Sequence, residues 1–369
     1  MRLAVILVHY HTPELAAAAV EALRADVAGT ALEVEWLLVD NGSDAAGRAL
    51  LESLPVERID AGGNLGYAGG VNLGVARSRA EAILLMNPDV LVLPGCVPAL
   101  LEALRDGAAV AGPRFYWDRG RRLVQPPSEV RTRRQELLSL LALRSERWAA
   151  RARHRWRRHA RRHWQASAPL PSHSLSGSLL ALRRPAWEEV GPFDDRFRLY
   201  FEETDWLLRA KRRGLPARYV PGAEAVHLYS QSADLEPRAR QWFEESARLF
   251  RRRHYGPWFV TLLERLDRRL PRPGATPPLS PVPPEGLDLP EEPSAYPLWV
   301  EVSPNPVGFP AAAELIRQPP ARPWNLPAEI ADRLPACELT LQVTGRTGRE
   351  LARCVLPYGA SRGARRGVA

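Results

Sequence analysis

The chain has 369 residues, 45% of them hydrophobic and 25% charged, with a net charge of +9. Such proportions suit a globular protein large enough for two or three domains, and no apolar run approaches the ~18–20 residues that span a bilayer. Cys96, Cys337 and Cys354 are the only cysteines, too few for a disulfide framework and none at metal-ligand spacing. The run Leu3–Val8 is too short for a signal-peptide core, so the expected location is the cytoplasm.

Leu3–His9 reads as a buried strand and Pro13–Ala25 as a helix with Leu15, Ala19 and Leu23 on one face. A second strand, Glu35–Val39, ends in Asp40-Asn41-Gly42-Ser43. A helix begins near Gly69, and a third strand, Ala82–Met86, ends in Asn87-Pro88-Asp89. This alternation predicts a parallel sheet in an α/β sandwich, where ligands bind beyond the carboxyl ends of the strands. All three strands end in polar residues, at His9–Thr12, Asp40–Ser43 and Asn87–Asp89, so a site is expected along that edge. Farther on, Gln135–Trp164 reads as helical and Ser176–Leu182 as a strand. Arg218–Val220 and Ala225–Leu228 read as two short strands, and Gln241–His254 and Trp258–Leu270 as helices. Ten of the 27 residues from Pro271 to Pro297 are proline, which predicts an extended linker. Leu298–Val302, Glu338–Thr344 and Glu350–Leu356 then alternate like the strands of a small β module.

Four motifs could carry chemistry. Gly62–Gly74 is dense in glycine but lacks the G-x-G-x-x-G spacing of a dinucleotide fingerprint. It reads with equal weight as a turn or as a backbone cradle for phosphate or ribose. In Asn87-Pro88-Asp89 a carboxylate stands at a strand end beside an amide carbonyl, which suits a hard divalent cation; the same tripeptide also forms ordinary turns. Glu202-Glu203-Thr204-Asp205 puts three carboxylates in four residues at a helix start. There they can stabilise the helix dipole or, by raising one another's pKa, furnish a general base for a sugar hydroxyl. His227, after Ala225-Val226, reads by itself as a buried hydrogen-bonding histidine.

Taken in order, Val8-His9-Tyr10-His11-Thr12, Val39-Asp40-Asn41-Gly42-Ser43, Asn64-Leu65-Gly66-Tyr67-Ala68-Gly69-Gly70 through Asn72 and Gly74, and Asn87-Pro88-Asp89 resemble the motifs of family 2 glycosyltransferases. Ser176-Gly177-Ser178, Gly191-Pro192-Phe193-Asp194, Tyr200-Phe201-Glu202-Glu203-Thr204-Asp205 and His227 continue the likeness, which is to the rhamnosyltransferase-like branch and covers roughly residues 1–255. The resemblance implies a GT-A type αβα sandwich with a mixed, mostly parallel sheet. It also implies inverting transfer of rhamnose or another hexose from a dTDP- or UDP-sugar to a glycan or lipid-linked acceptor in cell-surface polysaccharide synthesis. By position, Tyr10, Thr12, Asp40 and Asn41 line the base and ribose pocket, and Asn64, Gly66 and Asn72 complete the nucleotide site. Asn87 and Asp89 stand in the metal motif, where Asp89 holds Mg²⁺ or Mn²⁺ with His227 as a further ligand. Glu203 takes the general-base position, with Glu202 and Asp205 completing the catalytic cluster. Asn87 replaces a metal-motif carboxylate, and Glu203 replaces the more frequent aspartate. Two other readings remain: a nucleotide-sugar-binding protein of the same fold without transfer activity, and an adaptor for membrane or nucleic acid.

The expected organisation is a catalytic domain over 1–235 with a basic helical insertion at about 119–168, helices over 236–270, the linker 271–297, the β module 298–358 and a disordered tail 359–369. From Arg114 to Trp164 there are 16 arginines against four acids, a local excess of +12. Lys211 is the sole lysine beside 50 arginines, a ratio that reflects base composition rather than guanidinium chemistry. Trp148, Ala152, Trp156, Ala160 and Trp164 form a stripe at four-residue steps. That stripe reads either as an interfacial face docking on the inner side of the cytoplasmic membrane or as a face packed on the protein with solvated arginines around it. The membrane reading is favoured, and no nucleic acid is expected.

Overall fold

In the computed structural model, which describes residues 1–126, 129, 131–228, 238–271, 279–334 and 337–358, the alternation along β1 (Arg2–His9) decides the layers. Leu3, Val5 and Leu7 point to one side of the sheet, where they pack with α1 (Pro13–Val27) and the helix Cys96–Arg105. Ala4, Ile6 and Val8 point to the other, toward α2 (Gly66–Arg77) and α3 (Glu202–Arg212). A strand buried on both faces is what a parallel sheet covered by helices requires. β2 (Glu33–Asp40), β3 (Glu57–Asp60) and β4 (Ala82–Met86) join β1 in the parallel order β3-β2-β1-β4. β5 (Val90–Val92), β6 (Leu179–Arg183) and β7 (Ala217–His227) run antiparallel, β6 against β4 and β7 against β5. The αβα sandwich with a mixed, mostly parallel sheet is therefore present. Its unit comprises Met1–Phe115, Pro127–Arg133 and Gln165–Glu264.

Part of the glycine-dense stretch serves packing. A Cβ on Gly70 would stand 2.6 Å from Val8 Cγ1, and one on Gly74 would stand 2.5 Å from Ile6 Cγ2. These glycines let α2 lie close on the sheet. The two short strands expected at 218–220 and 225–228 are one strand, β7, which continues through Pro221-Gly222 because Ala225–His227 pairs with β5 and Arg218–Tyr219 pairs with Leu170–Pro171.

The second unit gathers Tyr116–Pro126, Arg134–Trp164 and the chain from Arg265 onward. Its antiparallel strands are β8 (Leu298–Ser303), β9 (Ala312–Ile316), β10 (Cys337–Thr344) and β11 (Glu350–Tyr358), in the order β9-β8-β10-β11. The expected helical stretch is two helices, Arg133–Ala142 and Glu146–Trp164. The longer one packs on the strands, so the basic insertion and the β module form one core rather than two appendages. Trp156, Ala160 and Trp164 are buried with Trp299, Ala311 and Ala313, and Trp164 stacks on Trp299 at 5.0 Å between ring centroids. Trp156 and Trp164 of the tryptophan stripe are thus packed on the protein, while Trp148 is half-buried with the Arg151 guanidinium 5.0 Å from its ring centroid.

The proline-rich segment also departs from a loose spacer. Val282 N–H donates to Val355 O at 2.8 Å, Leu287 and Trp324 exchange two backbone bonds of 2.8 Å, and Val282 and Tyr296 are buried. Its remaining part, 272–278, and the tail 359–369 lie outside the described residues. Among the described residues no helix is long and apolar enough to cross a membrane.

Candidate active site

The chain turns at Asn87-Pro88-Asp89 and enters β5, whose pairing with β7 sets Val90 opposite His227. Leu228 N–H donates to Asp89 O at 2.9 Å, and the His227 Nε2 atom lies 3.5 Å from Asp89 Oδ1. Strand register alone therefore brings together two residues far apart in sequence. The Ser176–Ser178 segment closes the group. Asn87 N–H donates to Ser178 O at 2.9 Å, and Ser178 Oγ lies 3.4 Å from His227 Nε2. The Asn87 Oδ1 atom is buried and has no hydrogen-bond partner among the described residues. A carboxylate and an imidazole side by side, next to a buried oxygen with nothing to accept from, fit a divalent cation. Among the described residues no group of three His, Cys, Asp or Glu side chains is placed to hold a metal ion, so an ion at Asp89 and His227 would take its other ligands from what binds beside it.

The carboxylate cluster is delivered by a strained turn. Tyr200 and Phe201 have φ of 65° and 73°, a left-handed conformation that costs non-glycine residues about 1–3 kcal/mol each and persists only when its surroundings enforce it. Phe201 is buried, with the Arg131 guanidinium 4.9 Å from its ring centroid and Phe243 and Phe250 packed at 5.4 and 5.5 Å. α3 starts on this platform, with Glu202, Glu203 and Asp205 in its first turn. Burial raises the Glu202 pKa well above its ordinary value, helped by Glu203, and burial raises Glu203 as well. The Thr204 hydroxyl donates to Glu203 Oε1 at 3.2 Å.

Gly177 connects this cluster to the Asp89–His227 pair. A Cβ there would stand 2.9 Å from Glu203 Cγ, while its carbonyl accepts from the Tyr67 hydroxyl at 3.0 Å. Burial, and then the charges of Glu202, Glu203 and Asp89, push the Tyr67 pKa well up, so the phenol stays a neutral donor among carboxylates. Gly177→Ala is expected to fold and to displace the Glu203 side chain. Misplacement of a reacting group by about 1 Å can cost on the order of a hundredfold in rate. The check is single-turnover transfer beside a melting curve, with the rate falling and the melting temperature nearly unchanged.

Asp205, expected in the catalytic cluster, is engaged within the protein. It is fully buried, its Oδ2 accepts from Arg209 Nε at 2.8 Å, and its Oδ1 lies 2.7 Å from His254 Nε2 and 3.2 Å from Arg253 Nε. Burial works against its ionisation, but the hydrogen bond with His254 and the two guanidiniums outweigh it, and its pKa is lowered. Asp205 anchors α3 to α4 (Ala239–Tyr255).

At the carboxyl ends of β1 and β2 the structure places Tyr10, Thr12, Asp40 and Asn41. Asp40 is buried; its Oδ1 accepts from Ser43 N at 2.9 Å and its Oδ2 from Arg58 at 3.0 Å. Burial raises its pKa, yet the hydrogen bonds from Ser43 and Gly42 and the charge of His9 bring it below the usual value. Asn41 and Asn64 brace the glycine loop. Asn41 Oδ1 accepts from Leu65 N at 2.8 Å, Asn64 Oδ1 accepts from Gly66 N at 2.9 Å, and Asn41 Nδ2 donates to Asn64 Oδ1 at 3.1 Å. Gly66 has φ of 74° and approaches Arg198 so closely that a Cβ would meet its carbonyl oxygen at 2.6 Å. Asn72, expected in the nucleotide site, has its amide engaged by backbone. Its amide donates to Phe193 O at 2.9 Å and accepts from Phe193 N at 3.0 Å, which ties α2 to the segment before α3. Sequence reasoning missed Tyr67, Ser178, Arg58 and Arg131 as site residues. The first two sit inside recognisable motifs; the arginines are indistinguishable in sequence from their many neighbours.

A family model described as glycosyl transferase family 2 matches residues 4–190. The N-acetylglucosaminyl-diphospho-decaprenol L-rhamnosyltransferase of Mycobacterium tuberculosis is 30% identical over 224 residues, 55% of this chain and 69% of that protein. The low-salt glycan biosynthesis hexosyltransferase Agl10 of Haloferax volcanii is 24% identical over 230 residues, 61% of this chain and 66% of that protein. The chain thus spans about two thirds of the length of these curated relatives. Among solved structures, S. aureus TarS residues 1–349 superpose with a TM-score of 0.45 at 14% identity, covering 68% of this chain and 64% of that one.

Proposed function

The chain belongs to glycosyl transferase family 2, and from that membership we propose that it inverts the anomeric centre of a nucleoside diphosphate sugar as it transfers the sugar to a lipid-linked glycan acceptor. The observation that carries the reading is the convergence, around Ser176–Ser178, of Asp89 with His227 on one side and Glu203 on the other. Glu203, with its raised pKa, takes the proton of the acceptor hydroxyl as that oxygen attacks the anomeric carbon. The new glycosidic bond forms on the face opposite the leaving group, and the old bond's electrons depart with the nucleoside diphosphate. A divalent ion at Asp89 and His227 would supply positive charge to the departing diphosphate. Tyr67 and Gly177 hold Glu203 in place, and Tyr10, Thr12, Asp40 and Asn41 receive the nucleoside. The relatives' names support a rhamnosyl or other hexosyl donor and a diphospholipid-borne acceptor; the donor's carrier in this reading is dTDP or UDP. Mg²⁺ or Mn²⁺ is the metal, and the cytoplasmic side of the membrane is where such an acceptor is met.

Thermal denaturation with a panel of nucleoside diphosphates, with and without Mn²⁺ or Mg²⁺, tests the donor site. Ligand at a hundred times its Kd stabilises the folded state by about 2.7 kcal/mol. A metal-dependent rise in melting temperature with one pyrimidine diphosphate is expected. No rise with any nucleotide would refute the reading.

A further inference from the structure

The helix Glu146–Trp164 sorts its basic side chains into an inward set and an exposed set. One set is turned inward and paired. Arg157 pairs with buried Glu301 at 2.8 Å and with Glu350 at 3.1 Å, and Arg153 pairs with Glu146 and Glu350. Arg161 donates to Thr344 Oγ1 at 2.9 Å and to the Gly345 and Arg346 carbonyls. The other set, Arg147, Arg151, His154, Arg158 and Arg162, is exposed. At 100° per residue these five fall within one narrow stripe. The stripe is about 22 Å long and faces away from Trp156 and Trp164; the Arg151 guanidinium lies 5.0 Å from the Trp148 ring centroid. The helix's one acid, Glu146, is engaged by Arg153 and Arg353. Among the described residues no ion pair uses Arg147, Arg151 or Arg158.

We propose that this exposed arginine stripe is a docking surface for an anionic lipid bilayer. A straight row of cations on one side of a helix matches a planar array of headgroup phosphates, and neither a small ligand nor a pocket could use its length. Trp156 and Trp164 are committed to the interior, so the contact is mainly electrostatic, shallow and salt-sensitive. The choice of a bilayer over a polynucleotide rests on the lipid-linked acceptor proposed above, and that acceptor gives the stripe its use: it holds the enzyme on the surface that carries the substrate.

The test is co-sedimentation of the full chain with vesicles of phosphatidylcholine containing phosphatidylglycerol, with neither donor nor acceptor present. Binding is expected to the anionic vesicles and not to pure phosphatidylcholine, and it should vanish as NaCl rises toward about 0.5 M, where screening is short-ranged. The triple variant R147E/R151E/R158E should bind roughly a hundredfold more weakly. The control R105E/R183E/R213E changes net charge equally at other exposed positions and should bind like the wild type. Melting curves monitor folding, and the salt titration of the unmodified protein stands if a variant fails to fold. Equal binding to neutral vesicles, no effect of the stripe substitutions, an equal loss in the control, or tighter binding to duplex DNA than to anionic vesicles would each overturn the proposal. Vesicle binding without transfer would instead count against the glycosyltransferase chemistry, and transfer to a soluble acceptor without vesicle binding would count against the stripe.

Discussion

Replacing Glu203 by glutamine is expected to lower the transfer rate by about 10²–10⁴-fold, the usual worth of a positioned general base, while donor binding persists. Glutamine keeps the size and the contact with Gly177 but cannot accept the acceptor's proton. The pH profile adds a second signature. Burial raises the Glu203 pKa, so the base is protonated and idle on the acid side. The rate should climb as pH rises through a value above the ordinary glutamate pKa of about 4.3, and the glutamine variant should lose that limb. Single-turnover transfer across pH, with calorimetric titration of the donor, separates the two effects. If donor affinity fell with the rate in proportion, Glu203 would be a binding residue and not the base.

Asp205→Ala is expected to destabilise the protein by about 3–5 kcal/mol, because removing one member of a buried ionic group leaves the others uncompensated. Arg209, Arg253 and His254 all converge on this carboxylate. At about 2–4 °C per kcal/mol for a unit of some 200 residues, the melting temperature should fall by about 10 °C. The sign with pH follows from the lowered pKa of Asp205. Its stabilisation is present above the unfolded-state aspartate value near ~3.9 and is lost as pH falls through the lower folded-state value. The alanine variant should therefore show a flatter acid limb of stability. Near-normal stability with selective loss of transfer would return Asp205 to the catalytic group.

The sheet was legible in sequence because β1, β2 and β4 alternate or bury their residues with strand periodicity and end in polar clusters. The site edge followed from those endings. Partner choice was not legible. Asn72 and Asp205 carry side chains that chemistry could use, but backbone groups of Phe193 and cations from α4 claim them. Such partners lie dozens of residues away and leave no local pattern. The tryptophan stripe misled for a related reason. Helical periodicity shows that Trp156 and Trp164 share a face, but not whether lipid or Trp299 covers it. The β9 strand was missed because Ala312–Ile316 is short and gains its order from pairing with β8.

The most direct test of the whole account is transfer itself: labelled rhamnose or another hexose from its dTDP or UDP donor to a polyprenyl diphosphate-linked N-acetylglucosamine, with Mn²⁺ or Mg²⁺, for the wild type beside Glu203→Gln. The wild type should give labelled, organic-extractable product of inverted anomeric configuration, abolished by chelation, and the variant at least a hundredfold less. Retained anomeric configuration, or equal product from both proteins, would contradict it.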